Sequence, residues 1–264
     1  MDRLAQGLIS AAGVGTILAI STVFVFLLWV VAPLFESPVA REAGGWSAEW
    51  LTPEQAPVFV SLEESQALGW AVTGDGLLRV FRADNGQVLQ TFPLAPEKKI
   101  TAMSFSSQDE VGILGFEDGT VQVGKFGIES NLAEPRDLPE AIRKAAVEGP
   151  VEHENGLLVP LAEGTFRLHR FTWSLNDPVP VADHAPLELI DHAVRTNGLI
   201  FAALTGDGML TVDSLAERKN LLTGKIKYTL AQGRLPYTPP EGKGKPAFLR
   251  ISGLGDMVCV AWAD

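Results

Sequence analysis

The sequence predicts an all-β fold of WD40-like β-propeller blades, forming an incomplete propeller, preceded by one N-terminal transmembrane α-helix. Three observations predict it. The first 35 residues contain a long run without charged side chains. A pair made of an acidic residue and glycine then returns at nearly equal steps along the chain. Apolar and alternating runs flank each pair, as they flank the turn of a β-hairpin.

The N-terminal run predicts a membrane-spanning helix over residues 1–35. Residues 4–35 carry no charge, and the 24 residues 8–31 would make about 36 Å of helix. That length crosses a hydrocarbon core of about 30 Å with some tilt. A cleaved signal peptide is the alternative, but its apolar region is normally about 7–15 residues long. We therefore expect an uncleaved anchor.

The charges beside this run predict its orientation. Arg3 and the amino terminus lie before it, against Asp2, while Glu36, Arg41, Glu42 and Glu49 follow it. Positive charge favours the cytoplasmic side of a membrane. We expect the N-terminus in the cytoplasm of a bacterium and the residues after 35 outside its inner membrane.

Small residues form a stripe along the predicted helix, because Gly7, Ala11, Gly15 and Ala19 recur every four positions. Such a stripe lets a second helix approach closely. The alternative is that small residues are simply common in membrane spans. The first interpretation makes these four residues a helix-contact face and the helix one member of a larger bundle.

A linker is predicted over residues 36–57, because this segment contains three prolines, a Gly-Gly pair, Trp46 and Trp50. The two indoles are expected at the membrane interface. The propeller is then expected over residues 58–264.

The repeat is the main signal for the fold. Its acidic residues are separated by 43, 45 and 44 positions and are Asp75, Asp118, Glu163 and Asp207. Each lies between an apolar run and an alternating run, and glycine follows it, as a tight hairpin turn requires. A further strand precedes most of these hairpins, and an outer strand follows the first. Four strands in 43 to 45 residues indicate a propeller blade, so we expect about four blades, although the Trp-Asp signature is missing.

Two segments depart from the repeat. Residues 138–147 predict a short helix inserted between blades. Residues 247–251 and 257–262 predict the first two strands of a fifth blade, with Asp264 in the place of the acidic turn residue. A glycine and another strand are expected to follow in the native reading frame.

Composition excludes several classes of function. There are 21 basic against 32 acidic residues, a net charge of -11, which makes nucleic acid a poor partner. One cysteine, Cys259, excludes an intrachain disulfide, and no Cys/His cluster suits zinc. Residues 242–245 lack the spacing of a phosphate-binding loop. No catalytic, cofactor or metal-binding residue is predicted, and the chain is not expected to be an enzyme.

Histidine and arginine leave two alternatives open. The pairs Asp183-His184 and Asp191-His192 would suit a metal if they converged, but exposed loop positions are expected for both. An anion site is the alternative for five arginines that alternating strands are expected to present to solvent: Arg79, Arg82, Arg167, Arg170 and Arg195.

A resemblance to a known family rests on two segments. Residues 7–35, which end in WVVAPLF, resemble the first transmembrane helix of the extended permease subunit of phosphate ABC importers, the PstC type. Residues 215–224, LAERKNLLTG, are similar to a segment of the extracytoplasmic propeller-like domain that long members carry after that helix. The resemblance implies three partners: a second permease subunit, an ATPase subunit and a periplasmic binding protein. The permease core itself is not in this sequence, so no transport residue is carried over.

The leading hypothesis is therefore the N-terminal portion of a permease subunit of a phosphate-type ABC importer, with a propeller for assembly or docking. The alternatives are a membrane-anchored propeller scaffold and a quinoprotein-like enzyme. Further spans encoded downstream would favour the permease, and an immediate stop would favour the scaffold.

Overall fold

A long apolar helix, α1 (Asp2–Val31), comes first, followed by a 3-10 turn over Ala32–Phe35. The computed structural model describes residues 2–35, 45–52, 55–161, 164–224, 226–231, 244 and 246–262. They fall into two compact units, Met1–Gly45 and Trp46–Asp264.

Helix α1 is the apolar helix that the sequence predicts. Its stretch Ala11–Val31 has a mean hydropathy of 2.5 and is exposed throughout. The hydroxyl groups of Thr16 and Thr22 donate hydrogen bonds to carbonyl oxygens one turn earlier, at 2.9 and 2.8 Å, so neither needs a partner from outside the helix. The stretch is long and apolar enough to cross a membrane.

The second unit is built from propeller-like blades, as the sequence predicts. Blade 1 is a four-stranded antiparallel sheet whose strands follow each other in chain order. They are β1 (Pro57–Leu62), β2 (Leu68–Thr73), β3 (Leu77–Arg82) and β4 (Val88–Pro93).

Blade 3 repeats this arrangement later in the chain. It comprises β12 (Leu187–Arg195), β13 (Gly198–Thr205), β14 (Leu210–Lys219) and β15 (Ile226–Ala231). The terminal hairpin, β16 (Phe248–Ile251) with β17 (Val258–Ala261), matches the strands expected to begin a fifth blade, and β16 contacts β12 and β13. Asp264 lies outside the described residues.

The sequence predicts two separate blades between blades 1 and 3, and the structure corrects this: one seven-stranded sheet, blade 2, takes their place. Strands β5 (Ile100–Ser106), β6 (Val111–Phe116) and β7 (Thr120–Ala133) begin it. Its order continues from β7 through β10 (Phe166–Leu175) and β9 (Gly156–Pro160) to β8 (Val151–His153). Strands β7 and β10 join the two predicted blades because they pair over ten positions, from Phe166↔Ala133 to Leu175↔Gly124.

One end of this sheet is formed by an insertion, residues 126–174, that extends blade 2. It contains a 3-10 turn (Pro135–Asp137) and α2 (Glu140–Glu148), the short helix that the sequence predicts. It has a small core of its own, formed by Ala146, Leu158, Phe166 and Leu168. After β10 the chain returns along the first half of β7, where β11 (Val179–Pro180) pairs with Val121 and Thr120 and supplies a fourth strand.

The hairpin turns at Asp75, Asp118 and Asp207 are equivalent, as predicted. At Asp75 and Asp207 the hydroxyl of the threonine two residues earlier donates a hydrogen bond to Oδ1 of the aspartate, and at Asp118 the hydroxyl of Thr120, two residues later, does so. In all three the next glycine has a φ between +76° and +85°, where a side chain would be strained. Glu163 lies outside the described residues. Its hairpin, β9–β10, forms inside the extended sheet and does not mark a further blade.

Three apolar clusters hold the blades and the terminal hairpin together, one at each junction. Blades 1 and 2 meet around Trp70, Phe116 and Phe126. Blades 2 and 3 meet around Ile113 and Phe201. The terminal hairpin meets blade 3 through Leu249, Ala202 and Leu210. Central strands such as β2 and β6 are buried along their whole length because neighbours cover both faces, which explains their continuous apolar runs.

Trp46 and Trp50 belong to blade 1, although the sequence predicts both in a linker at the membrane interface. Each indole ring lies 5.6 Å from the ring of Phe81. Their Nε1 groups donate hydrogen bonds to Ala83 O and Gly86 O, at 2.8 and 3.1 Å. They therefore cover part of the face of blade 1 opposite the one that contacts blade 2.

This arrangement predicts that Gly86→Ala destabilises the second unit more than Gly208→Ala does. Both glycines have positive φ, +75° and +85°, so both substitutions impose about 1–2 kcal/mol of backbone strain. A Cβ at Gly86 would also overlap the indole of Trp46, whereas a Cβ at Gly208 meets nothing within 4 Å. Relieving that overlap breaks the hydrogen bond from Trp46 Nε1 to Ala83 O, which lowers the free energy of unfolding by about 1 kcal/mol more. Urea unfolding of the full chain in detergent micelles measures both.

The Trp46→Ala background provides the control, because there the two glycine substitutions should lower the free energy of unfolding by the same amount. An equal cost in the wild-type background would contradict the role given to Trp46.

Candidate functional site

The predicted helix-contact residues Gly7, Ala11, Gly15 and Ala19 all lie in α1 and are exposed. A Cβ added at Gly7 or Gly15 would meet nothing within 4 Å. The stripe is thus an open surface on which a second helix could be accommodated. That it binds one stays a prediction.

A buried polar network joins blade 2, blade 3 and the terminal hairpin. Asp191 on β12 is at its centre: Ser104 Oγ of β5 donates to Oδ1 at 2.7 Å, and Arg250 Nη1 of β16 donates to the same oxygen at 3.0 Å. The backbone N–H of Ile251 donates to Oδ2 at 2.8 Å. Nδ1 of His192 lies 3.1 Å from Ser104 Oγ. We call this set the Asp191 network.

The network contains the residue types of a hydrolytic triad in an order that does not suit catalysis. In a triad the imidazole lies between the carboxylate and the hydroxyl, so that it can take the hydroxyl proton. Here Ser104 lies between Asp191 and His192, and all three side chains are at least 90% buried. The arrangement indicates a structural connection between strands.

The Asp191-His192 pair therefore corrects the expectation of an exposed loop position. It lies inside β12, whereas Asp183-His184 lies in the exposed segment after β11, as expected. The signal available in the sequence was the apolar environment of the pair, between Ile190 and Ala193. A charged residue within an apolar strand needs a buried partner, but sequence alone does not say which one.

Burial lowers the pKa of His192, because desolvation penalises the imidazolium more than the attraction of Asp191 and Asp109 favours it; the charge of Arg250 lowers the pKa further. Nε2 of this ring has no hydrogen-bond partner among the described residues. A neutral imidazole tolerates that position better than a cation would.

An open cleft of about 610 Å³ lies where blade 1 meets blade 2. We call it the acidic cleft. Its floor includes Trp70 and Phe126, whose rings are stacked with centroids 5.8 Å apart. The lining comprises Ser61, Leu62, Glu63, Glu64, Trp70, Ser107, Gln108, Asp109, Glu110, Phe126, Gly127, Ile128, Ser130 and Arg167.

Charge makes the acidic cleft suited to a cationic partner. Four carboxylates line it, with Arg167 as the one basic side chain in that lining. Phosphate or another anion would be repelled there. The four carboxylates instead favour an ammonium or guanidinium group.

His169 lies behind the acidic cleft and supports its wall. Its side chain is 99% buried, with Nδ1 2.8 Å from Ser130 Oγ and 3.7 Å from Glu63 Oε1. Burial lowers the pKa of His169, against the attraction of Glu63, and the charge of Arg167 lowers it further. Because Ser130 and His169 lie on β7 and β10, the insertion supplies one side of this cleft.

The five arginines do not form one anion site. Arg79 is buried, in contrast to the solvent position expected for it, and lies over the ring of Trp50 at 5.6 Å. Arg82 pairs with Asp84, and Arg195 donates to the carbonyl of Leu254 in the terminal hairpin. In the part of the chain that the structure describes, no group of three or more His, Cys, Asp or Glu side chains is arranged to hold a metal.

Comparison with known proteins concerns the backbone fold. The β-propeller domain of Cps50 (Swd1) from Myceliophteria thermophila is similar over 77% of this chain and 49% of its own, with 10% identity and a TM-score of 0.40. Hsv2 of Kluyveromyces lactis is similar over 66% of this chain and 45% of its own, with 15% identity and a TM-score of 0.33. The WD40 domain of SCAP from fission yeast is similar over 79% of this chain and 48% of its own, with 13% identity and a TM-score of 0.30. The chain thus spans about half the length of each of these structures.

No protein-family model matches the chain, and no curated protein matches it either. The resemblance to a phosphate permease stays a hypothesis.

The state of His192 predicts that stability falls as the pH drops from about 7.5 to 5. The folded pKa lies below the ordinary 6.5, so the unfolded chain binds more protons. The contribution of His192 is complete above pH 6.5 and is lost below it, with a slope of at most about 1.4 kcal/mol per pH unit. His192→Gln should make the free energy of unfolding less dependent on pH in this window.

His169 contributes in the same direction, so His192→Gln removes part of the slope. His184→Gln, at an exposed position, is the control for the loss of a histidine. The interpretation would be wrong if His192→Gln kept the full wild-type slope.

The stripe on α1 predicts that Gly15→Ile weakens association with partner membrane subunits while insertion into the membrane is unchanged. The added side chain would hold a second helix away from the stripe. Gly13→Ile is the matched control, since Gly13 is also an open glycine of α1 but lies off the stripe. Co-purification from membranes measures the effect. Equal partner recovery with both variants would contradict a helix-contact face.

Proposed function

We propose that this chain is a membrane-anchored interaction module in which α1 lies in the bilayer and the propeller-like blades bind another protein. In the more specific form of the proposal it is part of a permease subunit of a phosphate-type ABC importer. Its N-terminus lies in the cytoplasm, and the blades lie outside the inner membrane of a bacterium.

The observation that carries the proposal is the surface of α1. The 21 residues Ala11–Val31 are apolar, and their window has none of its surface buried. Exposing that much apolar surface to water is unfavourable, at roughly 25 cal/mol per Å². A bilayer, or a bundle of helices within one, removes this cost. At about 1.5 Å per residue the stretch is about 32 Å long, close to the thickness of the hydrocarbon core.

The acidic cleft supports a docking role for the blades. It lies open between blades 1 and 2 and is lined by Glu63, Glu64, Asp109 and Glu110. A basic patch on an extracytoplasmic protein complements this charge. In the permease hypothesis the periplasmic binding protein is the partner that would dock there. Phosphate itself is not expected to bind in this cleft.

The permease hypothesis further names a second permease subunit and an ATPase subunit as partners. It is supported by the sequence of α1 and by residues 215–224, both of which resemble segments of that family. Purification of the wild-type chain from its native membranes tests it. Recovery of both subunits supports the permease hypothesis, and recovery of neither contradicts it while leaving the anchored module intact.

Anchoring by α1 predicts that the full chain stays in the membrane pellet after alkaline carbonate extraction and begins at Met1 when its N-terminus is sequenced. Placing two charges in the span, Leu18→Arg with Val25→Arg, should release it, since each costs about 2.5–3.5 kcal/mol at the centre of a span. Leu132→Arg is the control, because Leu132 is an exposed leucine of the insertion. Wild-type chain in the supernatant, or a cleaved N-terminus, would refute the anchor.

A further inference from the structure

The hairpin between β14 and β15 presents two leucines that no described residue of the second unit covers. Leu221 and Leu222 are 93% and 97% exposed, more than Leu254 in the turn of the terminal hairpin, at 77%. Single exposed leucines are common on protein surfaces. Two adjacent ones at the end of a projecting hairpin are not explained by the core of the fold.

The turn holds these leucines in a defined conformation. Oδ1 of Asn220 accepts hydrogen bonds from the backbone N–H groups of Leu222 and Thr223, at 2.9 and 3.1 Å. The N–H of Gly224 donates to Asn220 O at 2.8 Å, and Gly224 has a φ of +70°. An ordered turn loses little conformational entropy on binding, so its apolar side chains are presented ready for contact.

The hairpin also projects beyond its sheet. Pairing of β14 with β13 ends at Gly198↔Ala216, whereas pairing with β15 continues to Lys219↔Ile226. Three further residues of β14 carry the turn about 10 Å past the end of β13. The leucines are therefore the most distant part of this hairpin from its own blade.

Basic side chains surround the leucines in an otherwise acidic protein. Residues 218–227, which we call the basic tip, contain Arg218, Lys219, Lys225 and Lys227 and no acidic residue, while the net charge of the chain is -11. Arg218, Lys219 and Lys227 are exposed, and none of them makes an ion pair with the residues that the structure describes. Their charge is thus available to an anionic partner.

We propose that the basic tip inserts Leu221 and Leu222 into the surface of an anionic lipid bilayer. Leucines at an interface lie about 5–10 Å into the boundary of headgroups and acyl chains, while lysine and arginine remain at the phosphates. Two leucines are too small a surface for a stable protein interface, which buries roughly 800 Å² of each partner. A lipid surface needs no matching shape, and the charges complement its phosphates.

This inference rests on the proposed function only in that α1 would keep a bilayer close to the blades. The tip would then be a second, weaker membrane contact that orients the blades. Attraction of a basic residue to an anionic surface changes partitioning by about fivefold per charge.

The test uses the full chain in proteoliposomes, with Cys259→Ser removing the native cysteine and Leu222→Cys carrying the fluorophore NBD. In vesicles that contain phosphatidylglycerol, we expect quenching by lipids brominated on the acyl chain. In vesicles of phosphatidylcholine alone the quenching should be much weaker. Lys219→Gln with Lys227→Gln should reduce the inserted fraction by at least tenfold. The label at Leu254→Cys, another exposed leucine of a tight turn, is the control and should stay unquenched.

Absence of quenching at position 222 in anionic vesicles would overturn the proposal, and so would equal quenching at position 254. Carbonate extraction of the same proteoliposomes separates the two membrane contacts. If α1 fails as an anchor, carbonate releases the protein, yet quenching of the tip at neutral pH persists. If the tip fails, the protein stays in the vesicles and only the quenching is lost.

Discussion

A four-stranded sheet with two apolar faces cannot bury both of them alone, and most of the architecture of this protein follows from that constraint. Blade 1 covers one face with blade 2, through Trp70 and Phe126. On its opposite face the indoles of Trp46 and Trp50 lie over Phe81. Blade 3 is covered by blade 2 on one side and by the terminal hairpin on the other. Each unit is therefore stabilised by its neighbours, as in other repeat folds.

Apolar contact alone does not determine how neighbouring units are aligned, because it has little directionality. The Asp191 network supplies direction. Its carboxylate takes hydrogen bonds from Ser104 of one unit and from Arg250 and Ile251 of another, so three strands are held at one point. A buried carboxylate is unfavourable without such partners. A displaced strand would leave it unpaired, which penalises other alignments.

The surfaces that suit partners arise where the chain departs from the regular blade. The insertion lengthens β7 and β10, and their residues Ser130 and Arg167 complete the acidic cleft beside blade 1. The lengthened end of β14 and β15 carries the basic tip. The two surfaces have opposite charge, so the proposed partners differ: a cationic protein surface for the acidic cleft and anionic lipid for the basic tip. The basic tip lies outside the apolar clusters that stabilise the blades, whereas the floor of the acidic cleft is part of the cluster between blades 1 and 2.

Local patterns in the sequence determined α1, the turns at Asp75, Asp118 and Asp207, helix α2 and the terminal hairpin, because each depends on residues within about 15 positions of one another. Only the tertiary structure decided which hairpins share a sheet. The β9–β10 hairpin has the acidic residue and glycine of a blade hairpin in its sequence, yet β10 pairs with β7 inside blade 2. The tertiary structure likewise placed Trp46, Arg79 and Asp191 in contact with distant partners. Hairpin chemistry is local and the same in every sheet, whereas pairing between strands and burial of polar groups depend on contacts far apart in the chain.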